Sequence, residues 1–218
     1  MAAGLFAFLI AALAFAQAPL RPIDRDLITA AGRGELAAVE AALATGAQAD
    51  AADAAGVTPL IAAAWGNHVA VARRLIARGA DVNRKDRTQQ SAYLIATSEG
   101  FDDLLDLTLA HGADVHSKDS YNGTGLIRAA DRGHAGIVRR LLATPIDKDH
   151  INRLGWTALL EAVILGDGGP AHAEIVRLLV AKGARTDIAD REGVTPLQHA
   201  ERRGQTAVVA ILKAGGAR

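Results

Sequence analysis

Short apolar stretches with helical spacing alternate along the chain with stretches of turn-forming polar residues. After Pro59, small apolar residues continue to about Asn67 and predict a short helix. The apolar positions among residues 69–76 are spaced to form one stripe on a second helix, which Gly79 ends because glycine tolerates left-handed backbone. Aspartate, asparagine and glycine then follow without a long apolar run, and they predict an extended finger. One helix pair and one finger therefore form the predicted unit.

This unit returns with a period of 33 residues. Residues 53–60 (DAAGVTPL) recur almost unchanged as residues 190–197 (DREGVTPL). Weaker copies begin at Asp86, Asp119 and Asn152. The last interval is 38 residues, because the additional residues 167–171 lengthen what we predict to be the loop between two helices. Such a period is typical of a repeat solenoid, and the predicted units are residues 24–52, 53–85, 86–118, 119–151, 152–189 and 190–218.

The start of each unit carries a helix-capping signal of varying strength. The Thr58 hydroxyl can cap free amide groups, and the ring of Pro59 is pre-set to helical φ in the first turn. The closing glycine of a unit is replaced once, by Pro145. The middle units keep a hydroxyl but lose the proline, in Ser91-Ala92, Thr124-Gly125 and Thr157-Ala158. We therefore expect weaker helix starts in units three to five.

These motifs resemble those of ankyrin-repeat proteins. The resemblance is carried by Gly-x-Thr-Pro-Leu at residues 56–60 and 193–197, by Gly-Ala-Asp-Val-Asn at residues 79–83, and by the Gly133-His134 pair. It covers residues 24–218 and implies an all-α repeat solenoid of about six stacked helix-turn-helix units with β-hairpin fingers. Each helix pair in such a stack buries its apolar face against its neighbours. The family's histidine after Thr-Pro-Leu is missing from every unit, where the chain has Ile61, Leu94, Ile127, Leu160 and Gln198.

The first twenty residues differ from the repeats because they contain no charged side chain. Their apolar block has the length of a signal-peptide core and is short for a membrane span, which needs roughly 20 apolar residues. The block ends in Ala14-Phe15-Ala16, whose small side chains suit signal peptidase, although the usual basic start is missing. We predict a signal peptide over residues 1–16, a linker over residues 17–23 and a periplasmic or secreted protein. The alternatives are an uncleaved membrane anchor and an additional helix on the first repeat.

The composition disfavours several classes of partner and excludes several kinds of catalytic or metal site. The chain has 24 basic and 24 acidic residues, so its formal net charge of zero gives no general attraction to nucleic acid or to anionic membranes. It has no cysteine, which excludes disulfides, thiolate nucleophiles and cysteine-ligated metals. The sequence also lacks the motifs of serine hydrolases, zinc proteases and nucleotide-binding loops. We expect a non-enzymatic, monomeric protein without a cofactor.

The histidines favour structural roles over metal binding. His68 and His134 occupy the family's usual position at the start of the second helix, where the resemblance implies a hydrogen-bonded structural role. His111 and His116 are close in sequence, but their spacing crosses a helix end into a turn and fixes no ligand geometry. We therefore predict no metal site at this pair.

Acidic and turn residues in units three and four have similarly simple interpretations. Asp102, Asp103 and Asp106 favour the positive N-terminal end of a helix dipole over a cation site. Asn122-Gly123-Thr124 matches a glycosylation sequon, but Asn-Gly is foremost a tight-turn dipeptide. The formal charge is +3 over residues 53–85 and −4 over residues 86–118. These adjacent patches either orient a partner or pair with each other.

Protein binding is the function that the sequence favours. The resemblance implies a concave surface of finger tips and inner helices that binds a protein partner, and Trp, Tyr and Arg carry much of the energy at such contacts. The alternative for Trp65 and Trp156 is that they only cover seams between repeats. The positions assigned to the partner surface are Trp65, Arg87, Ser98, Glu99, Tyr121, Asp131, Arg132, Arg153, Trp156, Ile164 and Leu165. Other functions left open are an accessory role for a periplasmic stress-defence enzyme and, less favoured, metal binding or catalysis.

Overall fold

The computed structural model describes residues 19–218, so the signal peptide predicted over residues 1–16 lies outside the described residues. Twelve α-helices in this range form six consecutive pairs. The first helices of the pairs are α1 (Pro22–Gly32), α3 (Pro59–Trp65), α5 (Ala92–Glu99), α7 (Gly125–Asp131), α9 (Ala158–Ile164) and α11 (Pro196–Arg202). The second helices are α2 (Leu36–Ala44), α4 (Val69–Ala77), α6 (Asp102–Ala110), α8 (Ala135–Leu141), α10 (Pro170–Ala181) and α12 (Thr206–Ala214).

The helix pairs stack in two rows. Each first helix packs against the first helix of the next pair. Each second helix likewise packs against the second helix of the next pair. We call the first helices inner and the second helices outer. This arrangement confirms the predicted all-α solenoid of about six units. No described helix has both the length and the apolar character that a membrane crossing requires.

The fingers between the pairs are built from turns. At the tip of the second finger, the Gly56 amide donates to the Asp53 carbonyl, and the Asp53 amide donates to the Val57 carbonyl. Within residues 19–218 the β pairing is limited to one isolated antiparallel bridge, between Lys118 and Thr124. The fingers are therefore tight hairpin-like loops and not regular two-stranded ladders.

The core is made of small and branched aliphatic side chains. The alanine pairs Ala63-Ala64 and Ala129-Ala130 are completely buried, which lets neighbouring helices approach closely. Tyr93 is the largest fully buried side chain, and its Oη lies over the start of α7. Because a Cβ atom on Gly125 would stand 2.7 Å from that oxygen, glycine fits there where the family has proline.

The N-cap hydroxyl accepts a hydrogen bond in each of the three middle repeats, and the weaker helix starts expected there stay a prediction. Ser91 Oγ accepts a hydrogen bond from the Leu94 amide at 3.3 Å, and Thr157 Oγ1 accepts one from the Leu160 amide at 3.2 Å. The corresponding bond is 3.2 Å at Thr58 in the second repeat and 3.5 Å at Thr124 in the fourth, where it is the longest. The middle repeats therefore lose only the pre-set proline ring, because the cap itself survives.

The insertion in the fifth repeat is divided between a loop and a helix. The outer helix of this repeat begins at Pro170 and has 12 residues, with Gly169 as its N-cap. Residues 170–171, predicted as part of the loop, therefore form the first turn of α10. Pro170 suits this place because the first helical position needs no amide hydrogen.

Side chains at or near the start of the outer helices connect successive repeats. His68 Nε2 donates to the Gly32 carbonyl at 3.2 Å, and His134 Nε2 donates to the Ser98 carbonyl at 3.0 Å. In the last repeat Gln205 replaces histidine, and its Nε2 donates to the Val163 carbonyl at 3.0 Å. These bonds satisfy carbonyls near the ends of the preceding inner helices. The structural role predicted for His68 and His134 is confirmed.

Candidate functional site

The predicted partner-binding residues occupy finger tips and the ends of inner helices. Arg87, Tyr121 and Arg153 lie at successive finger tips. The Arg87 amide donates to the Ala55 carbonyl at 2.9 Å, and the Arg153 amide donates to the Tyr121 carbonyl at 2.9 Å. Backbone hydrogen bonds thus join the second finger to the third and the fourth finger to the fifth.

Three of the predicted residues expose a large apolar surface. Trp65 at the end of α3 is 50% exposed, Tyr121 is 60% exposed, and Leu165 just after α9 is 51% exposed. Two further exposed apolar side chains, Ile151 and Leu154, lie in the fifth finger and were missed from the sequence. Leu154 directly follows Arg153, so its finger position was a usable signal.

The other predicted residues differ in accessibility. Ser98 is only 1% exposed, and its hydroxyl donates to the Ile95 carbonyl at 3.3 Å within α5. Its side chain therefore cannot contact a partner, and its assignment to the partner surface is wrong. The remaining surface positions are partly or fully exposed: Glu99, Asp131, Arg132, Trp156 and Ile164.

A row of polar pairs connects each finger of the last three repeats to its own inner helix. Arg128 Nη1 donates to Asp119 Oδ2 at 3.1 Å in the fourth repeat. Asn152 Nδ2 donates to Glu161 Oε1 at 2.7 Å in the fifth. His199 Nε2 and Asp190 Oδ2 are 2.6 Å apart in the sixth. These pairs were not predicted, and the signal that could have found them is a polar residue nine positions after each finger aspartate or asparagine.

Glu161 is the most perturbed carboxyl group near this surface. Its side chain is 4% exposed, and burial raises its pKa to about 7. The nearby Asp131 carboxylate raises the pKa further, whereas the Asn152 hydrogen bond and the positive charge of Arg128 lower it. Its observed hydrogen-bond partner is Asn152 of the same repeat, which gives this buried carboxyl group a structural contact between finger and inner helix.

The remaining polar clusters have structural partners. Arg140 of the next repeat pairs with Asp102 at 2.8 Å and with Asp106 at 3.0 Å. His111 Nδ1 lies 2.9 Å from the Leu107 carbonyl of its own helix. Within residues 19–218, no three histidine or acidic side chains cluster in a way that could hold a metal ion. Asn122 has a left-handed φ of 59°, which confirms the predicted tight turn.

Known proteins similar to this chain share its repeat architecture. A family described as ankyrin repeats in three copies matches residues 24–86 and 93–190. An 81-residue segment is 44% identical to the ankyrin repeat protein YahD of Escherichia coli strain K12, and it covers 37% of this chain. The matched segment spans only 40% of YahD, well under two thirds of that protein.

Solved structures extend the similarity to most of the chain. An ankyrin repeat domain from Acinetobacter baumannii AYE is 44% identical with a TM-score of 0.85, over 88% of this chain and 98% of that one. The ankyrin repeat protein EF0377 is 36% identical with a TM-score of 0.83, over 87% and 97% of the two chains. A chain from the complex of the predatory endopeptidase Bd0816 of Bdellovibrio bacteriovorus with immunity protein Bd3460 is 25% identical, with a TM-score of 0.75 over 87% and 97%.

The family match covers well over half of the chain, and the two bacterial structures agree with it in both sequence and fold. Domains of this kind are typically protein-binding and non-catalytic. The chain belongs to the ankyrin-repeat family.

Proposed function

We propose that this protein is an exported, non-enzymatic scaffold that binds a protein partner through its fingers and the ends of its inner helices. One observation carries the proposal. Of the six large apolar side chains exposed in the described residues, all except Leu36 lie in the fingers or at the ends of the inner helices: Trp65, Tyr121, Ile151, Leu154 and Leu165. Large exposed apolar patches with polar rims mark interaction sites, and these five side chains are available to form one.

The chemistry of the exposed residues fits a protein interface. Tyr121 and Trp65 are rigid aromatic side chains, which supply large contact areas at a small entropic cost. Arg132 directly follows α7 and is exposed, and its single ion pair within residues 19–218 is with the adjacent Asp131, at 3.7 Å. The similar chain in the Bd0816 and Bd3460 complex supports the proposal of a protein partner, because that structure contains two different proteins bound together.

Export is the second part of the proposal. It is supported by the uncharged, apolar residues 1–16 and by the small residues at their end. The absence of cysteine is compatible with an oxidising compartment, although it does not require one. A periplasmic location would also suit the accessory role beside a stress-defence enzyme.

The experiment uses the full chain expressed in a bacterial host with a C-terminal affinity tag. Partners are captured from periplasmic and secreted fractions, and mass spectrometry identifies both the captured proteins and the N-terminus of the purified chain. The test variant carries alanine at Trp65, Tyr121, Arg132 and Trp156. The control carries alanine at three exposed positions on the outer row, which are Leu36 in α2, Arg73 in α4 and Lys182 directly after α10.

We expect one partner to be captured by the wild type and the control but lost from the test variant, with helical circular dichroism unchanged in all three. We also expect the N-terminus at Gln17. Capture that survives the four substitutions would reject this surface, and an intact Met1 would reject cleavage and favour a membrane anchor. Capture of a stress-defence enzyme whose activity rises on binding would establish the accessory role.

A further inference from the structure

A groove of about 1010 Å³ lies between the start of α1 and the first fingers. A smaller groove of about 330 Å³ continues it along the next finger, and the two share Arg84 and Arg87. The charged side chains that line the larger groove come from three repeats. Its principal charged residues are Arg21, Arg25, Asp50, Asp53, Arg84 and Arg87.

The carboxylates of this groove are already engaged by the protein itself. Asp24 receives a hydrogen bond from Arg21 Nε at 2.6 Å, and that bond lowers its pKa below the usual value. Asp50 accepts from the Asp81 amide at 3.0 Å. Asp53 accepts from two amides of its own finger turn, at 2.8 and 2.9 Å. Hydrogen bonds from the protein therefore hold these carboxylates in place, and each of them keeps its negative charge.

The cations of the groove divide into engaged and free groups. Arg21 pairs with Asp24, and Lys85 Nζ donates to the Lys118 carbonyl at 2.7 Å. Arg25, Arg84 and Arg87 are exposed and make no salt bridge with any carboxylate in residues 19–218. Elsewhere in the stack, some arginines pair with acidic side chains of a neighbouring repeat, as Arg140 does, whereas others, such as Arg73, form no salt bridge within residues 19–218. Among residues 19–218, three guanidinium groups that pair with no carboxylate thus line one groove.

We propose that this groove binds an acidic segment of the protein partner in extended conformation, with its carboxylates paired to Arg25, Arg84 and Arg87. This inference rests on the proposed function, since it assigns a chemical character to part of the partner. Guanidinium groups pair with carboxylates through two parallel hydrogen bonds. Arg25 belongs to α1, whereas Arg84 and Arg87 belong to the stretch between α4 and α5, so the three arginines present points of attachment on separate elements along the groove.

The charges of the chain and of the groove disfavour a nucleic-acid backbone as the ligand. The chain has a formal net charge of zero, and aspartates stand among the three arginines. A continuous run of phosphates would meet those aspartates as well as the arginines. An acidic peptide can instead space its carboxylates with neutral residues.

The test measures binding of a fluorescein-labelled peptide of alternating glutamate and alanine to the full chain at low salt, by fluorescence anisotropy. The test variant is Arg25→Gln/Arg84→Gln/Arg87→Gln. The control variant is Arg73→Gln/Lys182→Gln/Arg202→Gln, which removes the same charge at exposed positions outside the groove. We expect saturable binding that the test variant weakens about tenfold and the control changes little. A glutamine-alanine peptide should not bind.

Three outcomes would overturn the proposal: no binding by the wild type, equal weakening by both variants, or displacement of the peptide by inorganic phosphate where acetate of equal ionic strength has no effect. The last result would assign the groove to a phosphate ligand. The proposed function and the acidic segment are contradicted by different results. Loss of partner capture in the variant lacking Trp65 and Tyr121, without any peptide binding, would leave the proposed function intact and reject the acidic segment.

Discussion

Asn152 and Glu161 form a buried hydrogen-bonded pair in the fifth repeat, where the other finger turns have aspartate. Asn152 Oδ1 accepts the finger amides of Leu154 and Trp156, as aspartate does elsewhere. Its Nδ2 is then free to donate to Glu161 Oε1 at 2.7 Å. Aspartate could not donate this bond and would place a second carboxylate beside the first. The asparagine therefore accommodates a buried glutamate on α9.

The first prediction is that Glu161→Gln stabilises the protein at alkaline pH. Burial raises the pKa of Glu161 in the folded state to about 7, above the usual value of 4.5. The folded state therefore binds more protons between these values, and its stability falls as the pH rises through them. The penalty is absent at low pH and reaches on the order of 3 kcal/mol above the folded pKa. Glutamine keeps an oxygen for Asn152 but carries no charge.

Urea unfolding at about pH 5 and about pH 8 measures this effect. We expect Glu161→Gln to raise the free energy of unfolding clearly at the higher pH and little at the lower one. Glu192→Gln, on an exposed finger turn, serves as the control and should have no pH-dependent effect. An equal effect of Glu161→Gln at both pH values would show that its carboxyl group is not destabilised by burial.

The repeat pattern predicts most of the fold because each signal acts within a few residues. Thr58 caps the amide of Ile61 three residues away, and Gly79 ends α4 with a φ of 89°. The 33-residue spacing then places equivalent helices side by side. The sequence did not predict the hydrogen bond between Asn152 and Glu161, because this contact depends on how the finger folds back over the inner helix.

The partner surface was less predictable than the fold, for a related reason. Family positions identify which residues face the concave side but not how deeply each is buried. Ser98 occupies such a position, yet α5 is so closely packed that its hydroxyl bonds within its own helix. The groove of Arg25, Arg84 and Arg87 was missed because its residues come from separate repeats, which the pattern within one repeat cannot relate.

The second prediction concerns the left-handed residue at the tip of the third finger. Gln89 has a φ of 66°, where the corresponding positions of other fingers have Gly56, Gly155 and Gly193, also left-handed. A left-handed conformation costs a residue with a Cβ atom more than it costs glycine. We expect Gln89→Gly to raise the free energy of unfolding by about 0.5–1 kcal/mol, measured by urea denaturation.

Asn122→Gly at the next finger is the comparison for this prediction. Asn122 also has a positive φ, but its Nδ2 donates to the Ile151 carbonyl at 3.2 Å. Glycine would remove this bond while relieving the backbone, so a smaller gain or a loss is expected. A destabilising effect of Gln89→Gly would mean that its side chain contributes more than the backbone conformation costs.

The third prediction tests the bonds between repeats. His134→Ala leaves the Ser98 carbonyl without its side-chain donor, and we expect a loss of about 1–2 kcal/mol in the free energy of unfolding. His134→Gln should lose less, because Gln205 forms the corresponding bond in the sixth repeat. His111→Ala is the control, since that ring bonds within its own helix and is exposed. Equal losses for His134→Ala and His111→Ala would contradict a special role for the bond between repeats.

The fourth prediction concerns the packing of Tyr93 against the start of α7. A Cβ atom on Gly125 would stand 2.7 Å from Tyr93 Oη and 2.9 Å from Thr97 Cγ2, both buried. Gly125→Ala should therefore destabilise the protein by about 1–3 kcal/mol, although alanine is the better helix former. Gly136→Ala on α8 is the matched control, because its nearest neighbours are 3.4 Å away or more, and it should stabilise by about 0.5–1 kcal/mol.

A double-mutant cycle separates this steric conflict from a general intolerance of α7 to substitution. In a Tyr93→Leu/Thr97→Ala background both close contacts of the new Cβ atom are removed. Gly125→Ala should then lower the free energy of unfolding much less than it does in the wild type. The difference between the two effects is the coupling free energy between position 125 and the two positions of α5. The same cost in both backgrounds would show that glycine is required by the α7 backbone itself. The expected coupling would instead mean that Tyr93 in one repeat determines which residue can begin the inner helix of the next.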